Sequence, residues 1–508
     1  MNDGKNIIMI GGGLGGLVTG AMFAKEGYRV TVLEKNAIAG GGLQCFKRRG
    51  TVFETGMHIL GGFFPGHNLH KICNYLGLND KLRIRHTDAD CIDLITYGAD
   101  GKTYRLPRGR EAFERYLAGE FPAQAEALHR YLDAVWALSE EVNLFYLRED
   151  PDSMMRAHSD QFLMAADEFI ASYISDAHLA ELLAYMNPMY GGEAGHTPAF
   201  VHALINVLYI NGSSMFVDGS QQMADALADI IREAGGSVIT ADAVTEIAVA
   251  DRVITSVATK SGKRYEGDWY VSDIHPCRLL DLLPERAFVK SYRDRLRSIP
   301  NSYSSFSVYI KFKADAHQPI ANHPCYFQQR HGDVWRLAEY DEDTFPRGLM
   351  CITPPSSEPR QWAERMTVSC PMPFSAVERW ADTTTGHRPD DYRQWKQRML
   401  DKVVGCLERM RPGIKADIDW CFASTPLTIR DYYGSERGAL YGYSRDCRNM
   451  MLSQIPIATK VRNLLLTGQN INLHGICGVP LTAIETVECL EGRGTIVRKI
   501  NEAYDKQI

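Results

Sequence analysis

Several absences narrow what this chain can be. No Cys-x-x-Cys pair occurs among its 12 cysteines, which are scattered from Cys45 to Cys489. That argues against a pyridine-nucleotide disulfide reductase. The pattern reads instead as buried free thiols of a reducing compartment rather than a disulfide framework. No uninterrupted run of 18 apolar residues occurs, so no segment reads as a membrane span. The N-terminus runs directly into an apolar strand pattern without the charged, apolar and small-residue layout of a secretory signal. No basic stripe with interleaved aromatics is present and the net charge is −6, so nucleic acid is not an expected partner. The reading is cytoplasmic, with peripheral membrane contact left open.

What is present is ordinary in bulk and distinctive in one stretch. At 508 residues the chain is too long for one simple core and reads as two interleaved domains. Its 24 tyrosines, 19 phenylalanines and 7 tryptophans suit a large apolar pocket without demanding one. The distinctive stretch begins at Ile7. Ile7 to Ile10 is an apolar run suited to a buried parallel strand. Gly11, Gly13 and Gly16 follow in G-x-G-x-x-G spacing, with Gly12, Leu14 and Gly15 between them, and Leu14 to Glu26 has helical periodicity. Arg29 to Leu33 reads as a second strand, ending on Glu34.

Each residue type has a physical task in that order. Gly11 permits the tight turn, Gly13 admits a pyrophosphate to the backbone, and Gly16 lets helix and strand approach. The helix N-terminus offers free N–H groups to the phosphates. Glu34, followed by Lys35, is placed for ribose hydroxyls and favours an unphosphorylated ribose, hence FAD or NAD. A structural turn without a ligand is the bland alternative.

Beyond Glu34 the chain gives Gly40-Gly41-Gly42-Leu43, then Phe53-Glu54-Thr55-Gly56-Met57-His58. This E-x5-G-G and F-[DE]-x-G-x-H pattern resembles the extended FAD fingerprint of the amine oxidase and phytoene desaturase superfamily. Within it, GGGLQCF and FETGMHILGG most resemble the retinol saturase and carotenoid isomerase branch. Asp218 to Ile247 is similar to the middle FAD segment, where Val244 would offer its backbone to the adenine edge. Leu464 to Pro480 resembles the C-terminal FAD motif, with contacts implied at Gly468, Gln469, Gly478, Val479 and Pro480. There Gln469-Asn470 replaces the usual carboxylate. The resemblance implies an α/β fold: a discontinuous Rossmann-like FAD-binding domain (1–75, 215–275 and 421–508) with an inserted α+β substrate domain (76–214 and 276–420).

Elsewhere, Asp90 to Leu106 reads as two strands around a glycine turn, and Ser302 to Lys313 as a partly alternating strand. Helical periodicity runs over 109–145, 160–186, 197–208 and 392–410, and a last helix is expected over 481–490. The 197–208 segment is a core helix, or else a lining or mouth of an apolar tunnel, with contact to a bilayer surface left open. Ile59 to Gly66 reads as a loop, either a buried connection or a wall of the cavity beside the flavin. Phe63, Phe64 and Tyr190 are candidate substrate contacts. His67 and His70 have no third ligand in register, so no metal site is expected.

No second strand–G-x-G-x-x-G–helix unit exists, because Gly191-Gly192 and Gly235-Gly236 lack the spacing. Electrons are therefore expected to pass to or from an external partner that reaches the flavin directly. The expected activity is FAD-dependent redox chemistry on carbon–carbon bonds of a small apolar isoprenoid or polyene, by hydride transfer at flavin N5. His58 is the candidate catalytic residue, as a proton donor. A histidine that only shapes the flavin pocket is the alternative. Two other functions stay open: an amine oxidase, in which Tyr432-Tyr433 or Tyr441 and Tyr443 could flank the amine, and a non-catalytic flavin or lipid carrier.

Overall fold

The computed structural model describes residues 4–149 and 157–506. Its organising layer is a five-stranded parallel sheet in the order Ser237–Ile239, Arg29–Leu33, Asn6–Ile10, Trp269–Ser272, Leu464–Leu466. The strands are apolar on both faces because both faces are covered. Ile7 and Met9 point into one core with the helices Leu14–Lys25, Gln221–Glu233 and Gly475–Glu491. Ile8 and Ile10 point into another, shared with Ile247, Ile254 and Val257 of a three-stranded antiparallel sheet, 244–265. The helices Pro276–Leu282 and Lys290–Ser298 also join this second core. They pack with the nucleotide sheet although they follow the expected 275 boundary.

The second layer is a seven-stranded sheet in the order Ile418–Ser424, Ser304–Phe312, Arg365–Met372, Gly348–Ile352, Cys325–Gln328, Asp93–Tyr97, Thr103–Leu106. All its pairings are antiparallel except that of Cys325–Gln328 with Asp93–Tyr97. Phe306, Val308 and Ile310 alternate toward the helix Asp390–Met410, where Trp395, Met399 and Val403 meet them. Ser305 and Ser307 take the opposite face and line the central cavity. The partial alternation read from 302–313 therefore separates two buried faces, one packed on a helix and one on a cavity.

Helical stretches read as continuous are divided. The 109–145 pattern splits into Arg110–Glu120 and Ala125–Glu140 around Pro122, which cannot continue a helix. The 160–186 pattern splits into Ala166–Tyr173 and Ala177–Leu183, the second started by Asp176, whose carboxylate accepts the His178 and Leu179 N–H groups. The helix Ala199–Ile210 is buried at every residue except Ile205, so it is a core helix, and its Tyr209 lines the central cavity. Leu60–Gly61 is a short strand rather than a loop, paired with Ser213–Phe216. The last helix begins at Gly475, well before the expected 481, and carries Pro480 inside it. Among the described residues no helix is long and apolar enough to cross a membrane.

Candidate functional site

The two sheets face each other across a cavity of about 730 Å³. One end is built by the first strand–turn–helix unit. Gly11 has φ +101°, a conformation that side chains disfavour, and it turns the chain from strand to helix. Gly16 is fixed by contact: a Cβ there would lie 2.0 Å from the Gly11 carbonyl oxygen, which is backbone and cannot yield. Gly41 packs onto the same turn, its Cβ position 3.1 Å from the Gly13 Cα, and the Gly40 N–H donates to the Gly12 carbonyl at 2.7 Å.

Glu34 is held rather than free. Its Oε2 accepts the Gly12 N–H at 2.8 Å and its Oε1 accepts the Asn36 N–H at 2.7 Å. Each oxygen keeps a lone pair for a ribose hydroxyl, and Glu34 lines the cavity. Sequence reasoning did not find its neighbour Asp273, which ends the fourth strand of the parallel sheet. The Asp273 carboxyl enters the glycine turn and accepts from the Gly13 and Gly16 N–H groups. Cβ atoms at Gly13, Gly15 and Gly468 would lie 2.7, 2.1 and 2.2 Å from its oxygens. Burial, with a smaller contribution from the Glu34 charge, pushes this carboxyl up to about 7 against the pull of the turn's N–H groups.

These residues fit FAD on structural grounds. The glycines of the turn carry no Cβ, and the space this frees at Gly13 and Gly15 is taken by the Asp273 carboxyl. An acid at the end of the second strand is oriented by backbone, and the helices starting at Leu14 and Gly475 both begin at the cavity. Of the residues expected from the sequence, Gly11, Gly13, Leu14, Gly15, Glu34, Lys35, Gly41, Gly42, Leu43, His58, Val244, Gln469 and Val479 line the cavity. Gly12, Gly16, Gly468, Gly478 and Pro480 stand behind that wall. Gly12 orients Glu34, Gly16 packs on Gly11, Gly468 clears space for Asp273, and a Cβ on Gly478 would meet Leu473 at 2.6 Å.

The other end of the cavity belongs to the second sheet and its helices. Tyr185, Tyr209, Tyr303, Tyr326 and Tyr441 line it with Met189, Leu349 and Met350. Several phenols are turned to protein partners. Tyr185 donates to Asp93 at 2.7 Å and Tyr441 to the Pro188 carbonyl at 2.7 Å, leaving ring surface for the cavity. Asp93 is 1% exposed, and burial pushes it up to about 7 although the Tyr185 hydroxyl stabilises its anion. His58 sits at the junction of the two ends, its Nδ1 3.2 Å from Glu54 Oε2, with both side chains buried.

The three expected substrate contacts are elsewhere. Phe63 meets His70 edge-on at 5.7 Å, Phe64 stacks on His86 at 4.1 Å, and the Tyr190 hydroxyl meets His202 Nδ1 at 3.1 Å. Each is turned into its own packing partner and none is part of the cavity wall. Among the tyrosines considered as amine-flanking, Tyr432, Tyr433 and Tyr441 line the cavity. Tyr443 instead donates to the Leu296 carbonyl at 2.8 Å, in the core behind the parallel sheet.

Residues 14–486 match the family described as flavin containing amine oxidoreductase. The all-trans-retinol 13,14-reductase of Rattus norvegicus is 26% identical, over 93% of this chain and 83% of its own length. A chloroplastic prolycopene isomerase of an Oncidium hybrid cultivar is 24% identical, over 91% of this chain and 79% of its own length. The crystal structure of an oxidoreductase from Methanosarcina mazei shares the fold, with a TM-score of 0.64 at 15% identity, covering 95% of this chain and all of that one.

Proposed function

Because the chain belongs to the flavin containing amine oxidoreductase family and is an FAD-dependent oxidoreductase, we propose that it acts on carbon–carbon bonds of an apolar polyene isoprenoid, by saturation, desaturation or isomerisation. The observation that carries this reading is the wall of the cavity opposite the glycine turn. Its residues from the seven-stranded sheet and from 185–209 are aromatic, aliphatic or neutral polar, and none is charged. The charged residues of the cavity lie off that wall, among them Glu34, Lys35 and Asp273 on the nucleotide side, and Arg430 and Asp431 on the helix Pro426–Tyr433, where Asp431 is paired with Arg388 and Arg430. An ammonium substrate would lie at that wall without a carboxylate, at a desolvation cost that a polyene does not meet. The names of the two relatives point to the same substrate class.

FAD, when bound, supplies two-electron chemistry. The chain's own residues bind, orient and exclude water. The two helix N-termini would hold the phosphates, and Glu34 would hold the ribose. Tyrosine and methionine side chains align the chain of the substrate and keep the cavity dry. Two side chains of the wall are positioned for proton transfer. Glu54 fixes His58 through Nδ1 and leaves Nε2 for the cavity, and Asp93 stands behind the Tyr185 hydroxyl. Electrons are exchanged with a partner that reaches the flavin directly.

The test is anaerobic. Photoreduced, FAD-loaded protein is mixed with all-trans-retinol or a C40 carotene, and oxidised protein with the same polyenes or a primary amine, while flavin redox state and product mass are followed. Reoxidation with a two-hydrogen mass gain of a polyene, or isomerisation of one, supports the proposal. Oxidised protein that is reduced by primary amines and inert to every polyene would overturn it.

A further inference from the structure

The spacing of histidines and acids in the sequence holds no metal set, but the fold assembles one from three distant segments. Helix Ala177–Leu183 carries His178 and Glu181 three residues apart, on one face. The loop after strand Cys325–Gln328 brings His331 to them. The turn between strands Asp93–Tyr97 and Thr103–Leu106 adds Asp100. None of these residues lines the flavin cavity.

His178 Nδ1 and His331 Nδ1 face each other at 3.0 Å, and His331 Nδ1 lies 3.4 Å from Glu181 Oε2. The three ligand atoms all lie within 4.8 Å of one another. Tetrahedral ligands at the usual zinc distances of about 2.0–2.1 Å are spaced about 3.3 Å apart, close to the two measured separations.

The outer atoms are committed as well. His331 Nε2 is 3.1 Å from Asp100 Oδ2, which makes it the N–H of that ring and leaves Nδ1 as a lone pair. His178 Nε2 is 2.6 Å from the Tyr104 hydroxyl, and the second oxygen of Glu181 accepts the Gly332 N–H at 2.9 Å. Tyr97 stacks on the His331 ring at 4.7 Å and fixes its plane. The His331 lone pair is thus aimed at a second imidazole nitrogen and at a carboxylate oxygen that is nearly buried. One proton can bridge only one of those pairs. A divalent cation satisfies all three at once.

We propose that His178, Glu181 and His331 bind a divalent transition-metal ion, Zn²⁺ by the character of their two-nitrogen, one-oxygen donor set, with Asp100 and Tyr104 orienting the imidazoles. Water takes the fourth position, since the His331 side chain is 39% exposed. The ion is a clasp. It ties the helix that leads into Tyr185 to the loop that follows Tyr326, Phe327 and Gln328, so it braces two stretches of the cavity wall from outside.

The experiment uses the FAD-loaded full chain, treated with chelator, desalted, and titrated with ZnCl₂ by calorimetry alongside elemental analysis. One Zn²⁺ per chain is expected. His331→Asn and Glu181→Gln should each weaken binding by at least ~100-fold, and Asp100→Asn by about 10–100-fold, with the flavin spectrum unchanged. Co²⁺ should give the visible bands of a four-coordinate site in the wild type and not in His331→Asn. Wild-type protein that takes up no Zn²⁺ would overturn the proposal, as would uptake that His331→Asn leaves unaltered. Should Glu181→Gln fail to fold, the exposed His331 variant decides alone.

Discussion

The Tyr185 hydroxyl donates to Asp93 Oδ2 at 2.7 Å, coupling a ring of the cavity wall to a carboxyl that is 1% exposed. Asp93 Oδ1 has no partner, and burial holds the acid up to about 7, so the pair can keep a proton at neutral pH. Tyr185→Phe is expected to retain FAD and slow product formation by ~10²–10⁴-fold if this pair delivers the proton. The rate should fall as pH rises through about 7, where Asp93 loses its proton, and Asp93→Asn should remove that inflection. Single-turnover rates per bound flavin, followed from mildly acidic to mildly alkaline pH, check both. A pH profile identical in wild type and Asp93→Asn would exclude the pair.

His58 is the competing proton source, and the two separate cleanly. If His58 is the donor, His58→Gln keeps the flavin spectrum and costs ~10²–10⁴-fold in turnover. If it only braces Glu54 across 3.2 Å, the variant alters flavin occupancy or potential, and turnover per bound flavin stays near that of wild type. Flavin content and single-turnover rate measured on one sample distinguish the outcomes.

Glu34→Ala should weaken FAD by roughly 10–100-fold, from charge-assisted hydrogen bonds of about 1.5–3 kcal/mol. The Gly12 and Asn36 N–H groups would also lose their acceptor, so Glu34→Gln, which can still accept one of them, should lose less. Flavin titration of the apo-variants gives the order directly.

The glycine turn should tolerate no side chain, for two different reasons. Gly13→Val puts its Cβ against the Asp273 carboxyl and into the phosphate approach, so colourless protein is expected. Gly16→Ala places a methyl 2.0 Å from a backbone oxygen and should destabilise by about 1–3 kcal/mol whether or not flavin is added. Urea melts with and without FAD separate the binding defect from the folding defect.

Asp273 predicts a pH dependence of opposite sign to that of an ion-paired acid. Its folded-state pKa is raised from 3.8 to about 7, so the folded protein holds a proton that the unfolded chain releases. Stability is therefore lost as pH climbs through that window and levels off above it. A second negative charge on the same turn sharpens the effect, so FAD affinity should fall as pH rises past about 7 and Asp273→Asn should flatten the curve. Equal slopes for the two proteins would rule this out.

What could be read in advance was what the chain keeps local. The glycine turn, Glu34 and both flanking strands form one unbroken stretch from Asn6 to Glu34, and its spacing alone dictates strand, turn and helix. Asp273 reaches the same turn from a strand far along the chain, and nothing about an aspartate there marks it for a phosphate cradle. Phe63 and Phe64 look like cavity residues because they are aromatic beside a fingerprint. Their histidine partners, His70 and His86, decide otherwise. Tyr185 and Tyr326 meet at 5.4 Å although they come from distant segments, a relationship that only the second sheet creates.

The interleaving of the parallel sheet also sets a clock. Trp269–Ser272 lies between Asn6–Ile10 and Leu464–Leu466, so its second neighbour is not made until Leu464–Leu466 has been added. On a ribosome adding ~5–20 residues per second, that edge stays bare for roughly 10–40 s. Its row of unpaired amides and carbonyls is then open to any other nascent strand. The helix that begins at Gly475 is absent for the same interval. Flavin therefore enters only after the helix from Gly475 has been added, and expression yield should depend on how well the cell shelters that one edge while it waits.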